Sequence, residues 1–210
     1  MTSEKRDFNK DAATWDENPG RLKMAESAFE AIDGSMKLTK EMDVLDFGCG
    51  TGLLSLKLLP YVQSVTGADS STGMLDILNS KIAAQNLSGI KTLHIDTDKG
   101  DTLTGSYHAV TSNMTMHHIK DPAAMIRQFY NIIKPGGFLC IADLDSDGGK
   151  FHENNDGVFH EGFSRDDMKM FFKDAGFTSI SDVTAAEVSK PDAEGRMNSF
   201  SVFLITGKKI

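Results

Sequence analysis

The nine residues Val44-Leu45-Asp46-Phe47-Gly48-Cys49-Gly50-Thr51-Gly52 constrain this chain more than any other stretch. The apolar run predicts a buried strand, and the three glycines that end it predict a sharp turn. With no Cβ, glycine lets the backbone bend tightly and lets a ligand approach where a side chain would collide. Residues 53–59 are apolar and stop at Pro60, the pattern of a short buried helix. Strand, glycine loop and helix in succession form the opening unit of an α/β fold.

The alternation continues along the chain. Residues 63–69 read as a second strand, 90–95 as a third, 107–112 as a fourth and 138–144 as a fifth. Met74, Leu75, Leu78 and Ile82 recur at helical spacing between the second and third strands. Asp121-Pro122 supplies an N-cap and a first-position proline. The helix it starts turns Met125, Phe129, Ile132 and Ile133 inward and is expected to stop before Pro135-Gly136-Gly137. Ser164 to Asp167 resembles a capping box and opens a helix that ends at Gly176. Two late strands, near 177–188 and 199–206, complete the pattern, which implies a mostly parallel sheet covered on both faces. Residues 1–40 stand apart: a polar lead, then a helix over 20–33, expected as an appendage packed against the core or over a site.

Charge argues against a nucleic-acid partner. Thirty acidic residues against 22 Lys and Arg leave a formal charge of −8, whereas a phosphate-tracking protein concentrates positive charge. No stretch approaches the roughly 18 apolar residues that cross a bilayer. Residues 1–10 are polar and lack the apolar centre of a secretion signal. Two cysteines, Cys49 and Cys140, are too few for a disulfide framework, and a cytoplasmic setting is expected.

Asp46 sits at the end of an apolar strand, where a carboxylate is costly unless something pairs with it. A ligand ammonium lying over the glycine loop is a suitable partner. About 21 residues after Gly48, the second strand closes on Asp69, the distance at which an acid accepts hydrogen bonds from ribose hydroxyls. The nicotinamide-type fingerprint needs Gly or Ala where Leu53 stands. The ligand implied has a ribose and a cationic amine and needs no phosphate, a description that S-adenosylmethionine fits. Two other classes stay open: a nucleotide-dependent oxidoreductase on a similar sheet, which Leu53 disfavours, and a cofactor-binding regulatory or partner protein without turnover.

VLDFGCGTG (44–52), VTGADSSTGML (65–75), LHID (93–96), MTMHHIKDP (114–122) and IIKPGGFLCIADLD (132–145) follow one another in order. With AATWDENPGR (12–21), GFSRDDMKMFFKDAGF (162–177) and FSVFLITGKK (200–209), they resemble the class I S-adenosylmethionine-dependent methyltransferases. The branch is that similar to ubiquinone/menaquinone-type small-molecule methyltransferases. The resemblance implies an α/β, Rossmann-like seven-stranded sheet of order 3-2-1-4-5-7-6, with the seventh strand antiparallel. It implies a methyltransferase domain over 41–210 with 1–40 as a helical lid, S-adenosylmethionine as cofactor and S-adenosylhomocysteine as product. The expected partner is a small-molecule methyl acceptor, and the expected assembly a monomer or homodimer. Carried over by position, Asp46 and the backbone of Gly48, Cys49, Gly50 and Gly52 would hold the methionine portion. Asp69 would bind the ribose, Ser70 and Met74 would line the adenine, and Asp96 and Thr97 would meet its amino group. Ser112 and Asn113 would lie beneath the sulfonium. The chain departs from the pattern at His108-Ala109, where Phe-Asp is usual, and at Thr97 to Asp101, which is more polar than the common Leu-Pro-Phe.

A general base is required only when the acceptor is protonated at working pH, and histidine suits that role. By the resemblance, His118 aligns with a histidine that recurs in this family after the fourth strand. His152 and His160 lie in the segment 148–162, at the carboxyl edge of the sheet where open α/β folds bind ligands. These three are the catalytic candidates, and His117 is expected as a solvent or packing residue. No metal is expected. His152-Glu153 and His160-Glu161 lack the His spacing of a zinc helix. The segment from Asp143 matches half a calcium loop but places Asn154 at position twelve. Trp15 is expected either to cover the cofactor or acceptor, or to anchor its own segment.

Overall fold

In the computed structural model, residues 7–152, 155–191 and 194–210 are described; Glu153 and Asn154, weighed above as metal ligands, lie outside them. Seven strands form one sheet: β1 (Asp43–Phe47), β2 (Ser64–Asp69), β3 (Ile90–His94), β4 (Tyr107–Asn113), β5 (Ile133–Leu144), β6 (Thr178–Pro191) and β7 (Met197–Lys208). Their order is β3-β2-β1-β4-β5-β7-β6, parallel throughout except that β7 runs antiparallel to both neighbours. This is the expected topology. Among the described residues, no helix is long and apolar enough to cross a membrane.

Alternation along the strands divides the core in two. Val44, Cys140, Ala142 and Leu204 face one side, where α1 (Pro19–Met36) and α2 (Leu53–Leu58) bury Met24, Ala28, Ile32, Leu54 and Leu58. Leu45, Val110, Leu139 and Ile205 face the other, against Phe129 of α4 (Pro122–Ile132) and Phe172 of α5 (Arg165–Ala175). Near the glycine loop, α3 (Thr72–Ala84) buries Leu75 and Leu78 against Cys49. Fully burying one such leucine or phenylalanine contributes roughly 1.5–3 kcal/mol.

Two helix starts obey the sequence signals, at Asp121 and Ser164, and Ser71 caps a third. Asp121 Oδ1 accepts from Ala124 N at 2.8 Å, Ser71 Oγ from Met74 N at 3.2 Å, and Ser164 Oγ from Asp167 N at 3.4 Å. Gly176 closes α5 at φ +104°. Two boundaries differ from expectation. Helix α1 runs from Pro19 to Met36, because Asn18 Oδ1 caps Gly20 N at 2.8 Å and so starts it earlier. Strand β5 begins at Ile133 and passes through Pro135-Gly136-Gly137. Tyr107 pairs with Ile133 and Ala109 with Phe138, so two steps of β4 face five of β5. The turn residues form a bulge inside the strand, with Gly136 at φ +81°.

Candidate active site

A cavity of about 310 Å³ runs along the carboxyl ends of β1 to β5 and reaches Val188 and Lys190 on β6. Its floor at β1 is the glycine loop, where Gly48, Gly50 and Gly52 hold φ of +70°, +54° and +84°. Their freedoms serve different ends. A Cβ on Gly48 would sit 2.2 Å from Thr115 Oγ1, and one on Gly52 would sit 2.4 Å from Leu78 Cδ1. Both positions are therefore closed by packing. A Cβ on Gly50 would meet nothing nearer than Met74 Sδ and Trp15 Nε1, each 3.9 Å away, and both residues border the cavity.

Asp46 lines the same floor although only 1% of its surface is exposed. The sequence foresaw the need for a partner; the structure supplies two. Ser55 Oγ donates to Oδ2 at 2.5 Å and Thr111 Oγ1 to Oδ1 at 3.1 Å. Burial nevertheless outweighs both bonds, and the nearby Asp69 charge adds to it, so the carboxyl is pushed up to about 6. Asp69 ends β2 and ties the loop to α3: Gly50 N donates to Oδ2 and Ser71 N to Oδ1, both at 2.8 Å. Burial pushes the Cys49 thiol well above its ordinary value, which leaves it an unreactive small wall residue.

Of the other expected cofactor contacts, Ser70, Met74, Thr97 and Asn113 border the cavity. The buried Asn113 Oδ1 has no hydrogen-bond partner among the described residues. Gly52, Asp96 and Ser112 do not reach the wall. Gly52 precedes α2 behind the loop. Asp96 turns inward to cap its own 3₁₀ turn, accepting from Asp98 N at 3.2 Å, so Asp98 takes its place at the cavity. Ser112 points away from the cavity because side chains alternate along β4, and its hydroxyl is buried without a partner among the described residues.

Residues 7–18 contribute to the cavity wall. Phe8 and Trp15 border the cavity, with rings 5.9 Å apart, and Phe8 packs edge-on to His118 at 5.1 Å. Asn9 Oδ1 accepts from Ser71 Oγ at 2.9 Å and Gly73 N at 2.7 Å. Asp16 accepts from Thr51 Oγ1 at 2.5 Å and pairs with Lys81. The Arg21 guanidinium stacks on Trp15 at 3.7 Å.

The histidines divide differently from the expectation. His118 and His152 line the cavity; His160 does not, because its Nε2 donates to Ile119 O at 2.9 Å and ties down the loop. His117, expected at most to pack, lines the cavity and is 1% exposed, its Nδ1 donating to Asp143 Oδ1 at 2.7 Å. The signal for that pair was present: Asp143 is the one acid in an apolar strand, the argument already applied to Asp46. The other missed wall residues, Arg21, Asp98, Phe151 and Lys190, belong to segments far apart in sequence. The calcium-like segment is committed elsewhere, with Asp145 bound to Arg165 at 2.7 Å and Asp147 accepting from Gly149 N and Phe151 N. Among the described residues no group of three or more His, Cys, Asp or Glu could hold a metal ion.

Sheet order, glycine loop and acid-lined cavity define a class I S-adenosylmethionine-dependent methyltransferase fold. A family model described as a methyltransferase domain matches residues 21–182, and the chain belongs to that family. An uncharacterized methyltransferase of Schizosaccharomyces pombe is 31% identical over 163 residues, covering 70% of this chain and 57% of the relative. A ubiquinone biosynthesis O-methyltransferase of Coxiella burnetii is 31% identical, covering 61% and 51% respectively. The chain thus spans only about half the length of these curated relatives. The crystal structure of the YcgJ protein from Bacillus subtilis superposes with a TM-score of 0.74 at 15% identity, covering 88% of this chain and 99% of its own. Phosphoethanolamine N-methyltransferase 2 of Haemonchus contortus, in complex with S-adenosyl-L-methionine, gives 0.70 at 16% identity, over 88% of this chain and 52% of its own.

Proposed function

We propose that this chain transfers the methyl group of S-adenosylmethionine to a small-molecule acceptor and releases S-adenosylhomocysteine. The observation that carries the proposal is a desolvated carboxyl and an amide oxygen without a partner among the described residues, both bordering one cavity. The Asp46 carboxyl is desolvated, and the buried Asn113 Oδ1 has no partner among the described residues. Both call for a donor, and a cationic amine is the donor that lowers the cost of burying a carboxylate. The bound cofactor supplies an electrophilic methyl on a sulfonium. Asp46 and the backbone of Gly48, Cys49 and Gly50 would hold its methionine portion, and Asp69 the ribose, with Ser70, Met74, Thr97 and Asp98 beside the base. Gly52 and Asp96 act indirectly, by setting the loop and the turn.

Residues 7–18 serve in this proposal as a lid that excludes water, with Trp15 and Phe8 over the ligand and Asp16 and Asn9 as its latches. The acceptor enters between that lid and the segment after β5. A cytoplasmic setting completes the picture, supported by two free, buried cysteines. Isothermal titration with S-adenosylhomocysteine tests the proposal: saturable heat is expected, and its absence from folded protein refutes it. Asp69→Ala should weaken that binding by about 1–3 kcal/mol; unchanged affinity removes Asp69 from the ribose.

A further inference from the structure

Three imidazoles meet over the ends of β4 and β5. The rings of His117 and His118 are 4.2 Å apart, those of His117 and His152 5.0 Å, and those of His118 and His152 6.0 Å. All three border the cavity. Hydrogen-bond chemistry fixes two tautomers. A carbonyl or carboxylate oxygen can only accept, so Nδ1 of His118 donates to Gly157 O and Nδ1 of His117 donates to Asp143, each at 2.7 Å. In the neutral rings the lone pair therefore sits on Nε2. For His117, that nitrogen makes no hydrogen bond among the described residues.

Asp143 is built to stay ionised. It is fully buried, yet Met116 N donates to Oδ2 and Leu144 N to Oδ1, both at 2.8 Å, alongside the His117 ring. Burial raises this carboxyl; a positive charge on His117, with the bonds from its ring and from Leu144 N, brings it below the usual value, so Asp143 stabilises His117 once it has taken a proton. A proton arriving at His117 Nε2 would create an imidazolium directly against that carboxylate.

The rest of the wall describes what would deliver the proton. Acids lie at one end, with Asp46, Asp69 and Asp98 on β1, β2 and the turn after β3. The imidazoles occupy the middle, and Lys190 on β6 lies at the far end with its Nζ 3.5 Å from the centre of the Phe151 ring. Arg21 comes in from α1 above Trp15. Aromatic faces from Phe8, Trp15 and Phe151 line the space between. At the acceptor end, the Lys190 ammonium and the Phe151 ring suit a flat compound that becomes an anion, and oppose an ammonium.

We propose that His117, positioned by Asp143, is the proton acceptor for a weakly acidic hydroxyl of the phenol or enol class, making this an O-methyl transfer. The inference rests on the methyl-transfer function proposed above. The acceptor's O–H bond breaks and its proton passes to Nε2 of His117. The electron pair left on oxygen forms the new bond to the transferred methyl, whose former bond returns its pair to the departing sulfur. His117 is the catalytic residue, and Asp143 is a positioning residue.

The test uses the full chain loaded with S-adenosylhomocysteine and 4-nitrocatechol as probe, whose ionised form absorbs at longer wavelength than its neutral form. The wild type is expected to bind it saturably and to ionise it below the pH at which the free compound ionises. His117→Gln should bind S-adenosylhomocysteine as before, lose the spectral shift, and transfer methyl to catechol about 100-fold more slowly. Asp143→Asn should move the pH midpoint of the spectral shift, which a merely structural role would leave in place. Histidine ¹⁵N spectra of the loaded wild type, which need no variant to fold, should show His117 unprotonated at Nε2. A protonated Nε2 in the neutral ring, no saturable shift, or an unaltered shift in His117→Gln overturns the inference while S-adenosylhomocysteine binding keeps the wider proposal intact. Failure to bind S-adenosylhomocysteine overturns both.

Discussion

Replacing Asp46 with Asn should remove a pH dependence of stability that this one carboxyl creates. Asn has nearly the same shape and can keep contacts to Ser55 and Thr111, the two hydroxyls that now donate to the carboxylate at 2.5 and 3.1 Å. In the folded chain, burial raises the Asp46 carboxyl from 3.8 to about 6. That difference corresponds to roughly 3 kcal/mol between its two protonation states. The folded protein therefore holds this proton more tightly than the unfolded chain, and the sign follows. Stability contributed by the protonated acid is present below about pH 3.8 and is lost as pH rises to about 6. Between about pH 4.5 and 7.5 the loss amounts to roughly 2 kcal/mol, since part of the range falls outside the window. Urea denaturation of ligand-free wild type and Asp46→Asn, at matched pH values, isolates the effect of Asp46 and its coupling to Asp69, because titrating groups that do not interact with Asp46 cancel in the difference. Relative to wild type, the variant should gain roughly 2 kcal/mol across that interval. Parallel curves would show that the carboxylate is not desolvated, and the case for a ligand cation beside it would fall with them.

The single tryptophan offers a direct probe of the lid: emission from Trp15 should shift on S-adenosylhomocysteine binding, and an unresponsive spectrum would place residues 7–18 away from the ligand. Gly48→Ala and Gly50→Ala should separate stability from binding. Both bear a positive φ costing about 1–2 kcal/mol, but only Gly48 adds a clash with Thr115, so it should lower Tm further, while Gly50→Ala should chiefly weaken ligand affinity. Equal losses of Tm would refute that division. Affinity for S-adenosylhomocysteine should fall about tenfold from pH 8 to pH 5, because below about 6 the amine must displace a proton from Asp46; titration calorimetry of Asp46→Asn should show a flat profile.

Strands and caps were legible because each is encoded locally. Asp121 and Ser164 sit where their side chains meet nearby backbone N–H groups, so the sequence spacing is the structure. The glycine loop was legible for the same reason. What escaped depends on contacts over long sequence separations. Asp46 finds Thr111 sixty-five residues away, and His117 finds Asp143 twenty-six away. Alternation decides which of two neighbours reaches a site: along β4, Ser112 turns off the cavity and Asn113 lies beside it. His160 was misplaced because its loop folds back, and a backbone carbonyl of Ile119 claims the imidazole before any ligand can. The Pro-Gly-Gly segment carried a correct turn signal, but the neighbouring strand absorbed the turn as a bulge.

One regularity connects the buried acids to strand order. In a sheet ordered 3-2-1-4-5-7-6, connections run outward in both directions from the β1–β4 junction, and the crevice between them receives the ligand. Asp46 ends β1 on one side of that junction, and Asp143 nears the end of β5 on the other, both essentially without exposure. Each is costly to bury, yet their surroundings drive them in opposite directions. Two hydroxyls and the Ser55 N–H do not offset the burial of Asp46, so it stays desolvated and calls for a cation from outside the chain. Asp143 receives backbone N–H groups and an imidazole, so its charge is satisfied within the chain and is spent on orienting His117. On the proposed function, two groups of one chemical type serve as ligand anchor and base holder, set apart by whether the chain places an imidazole beside the carboxylate.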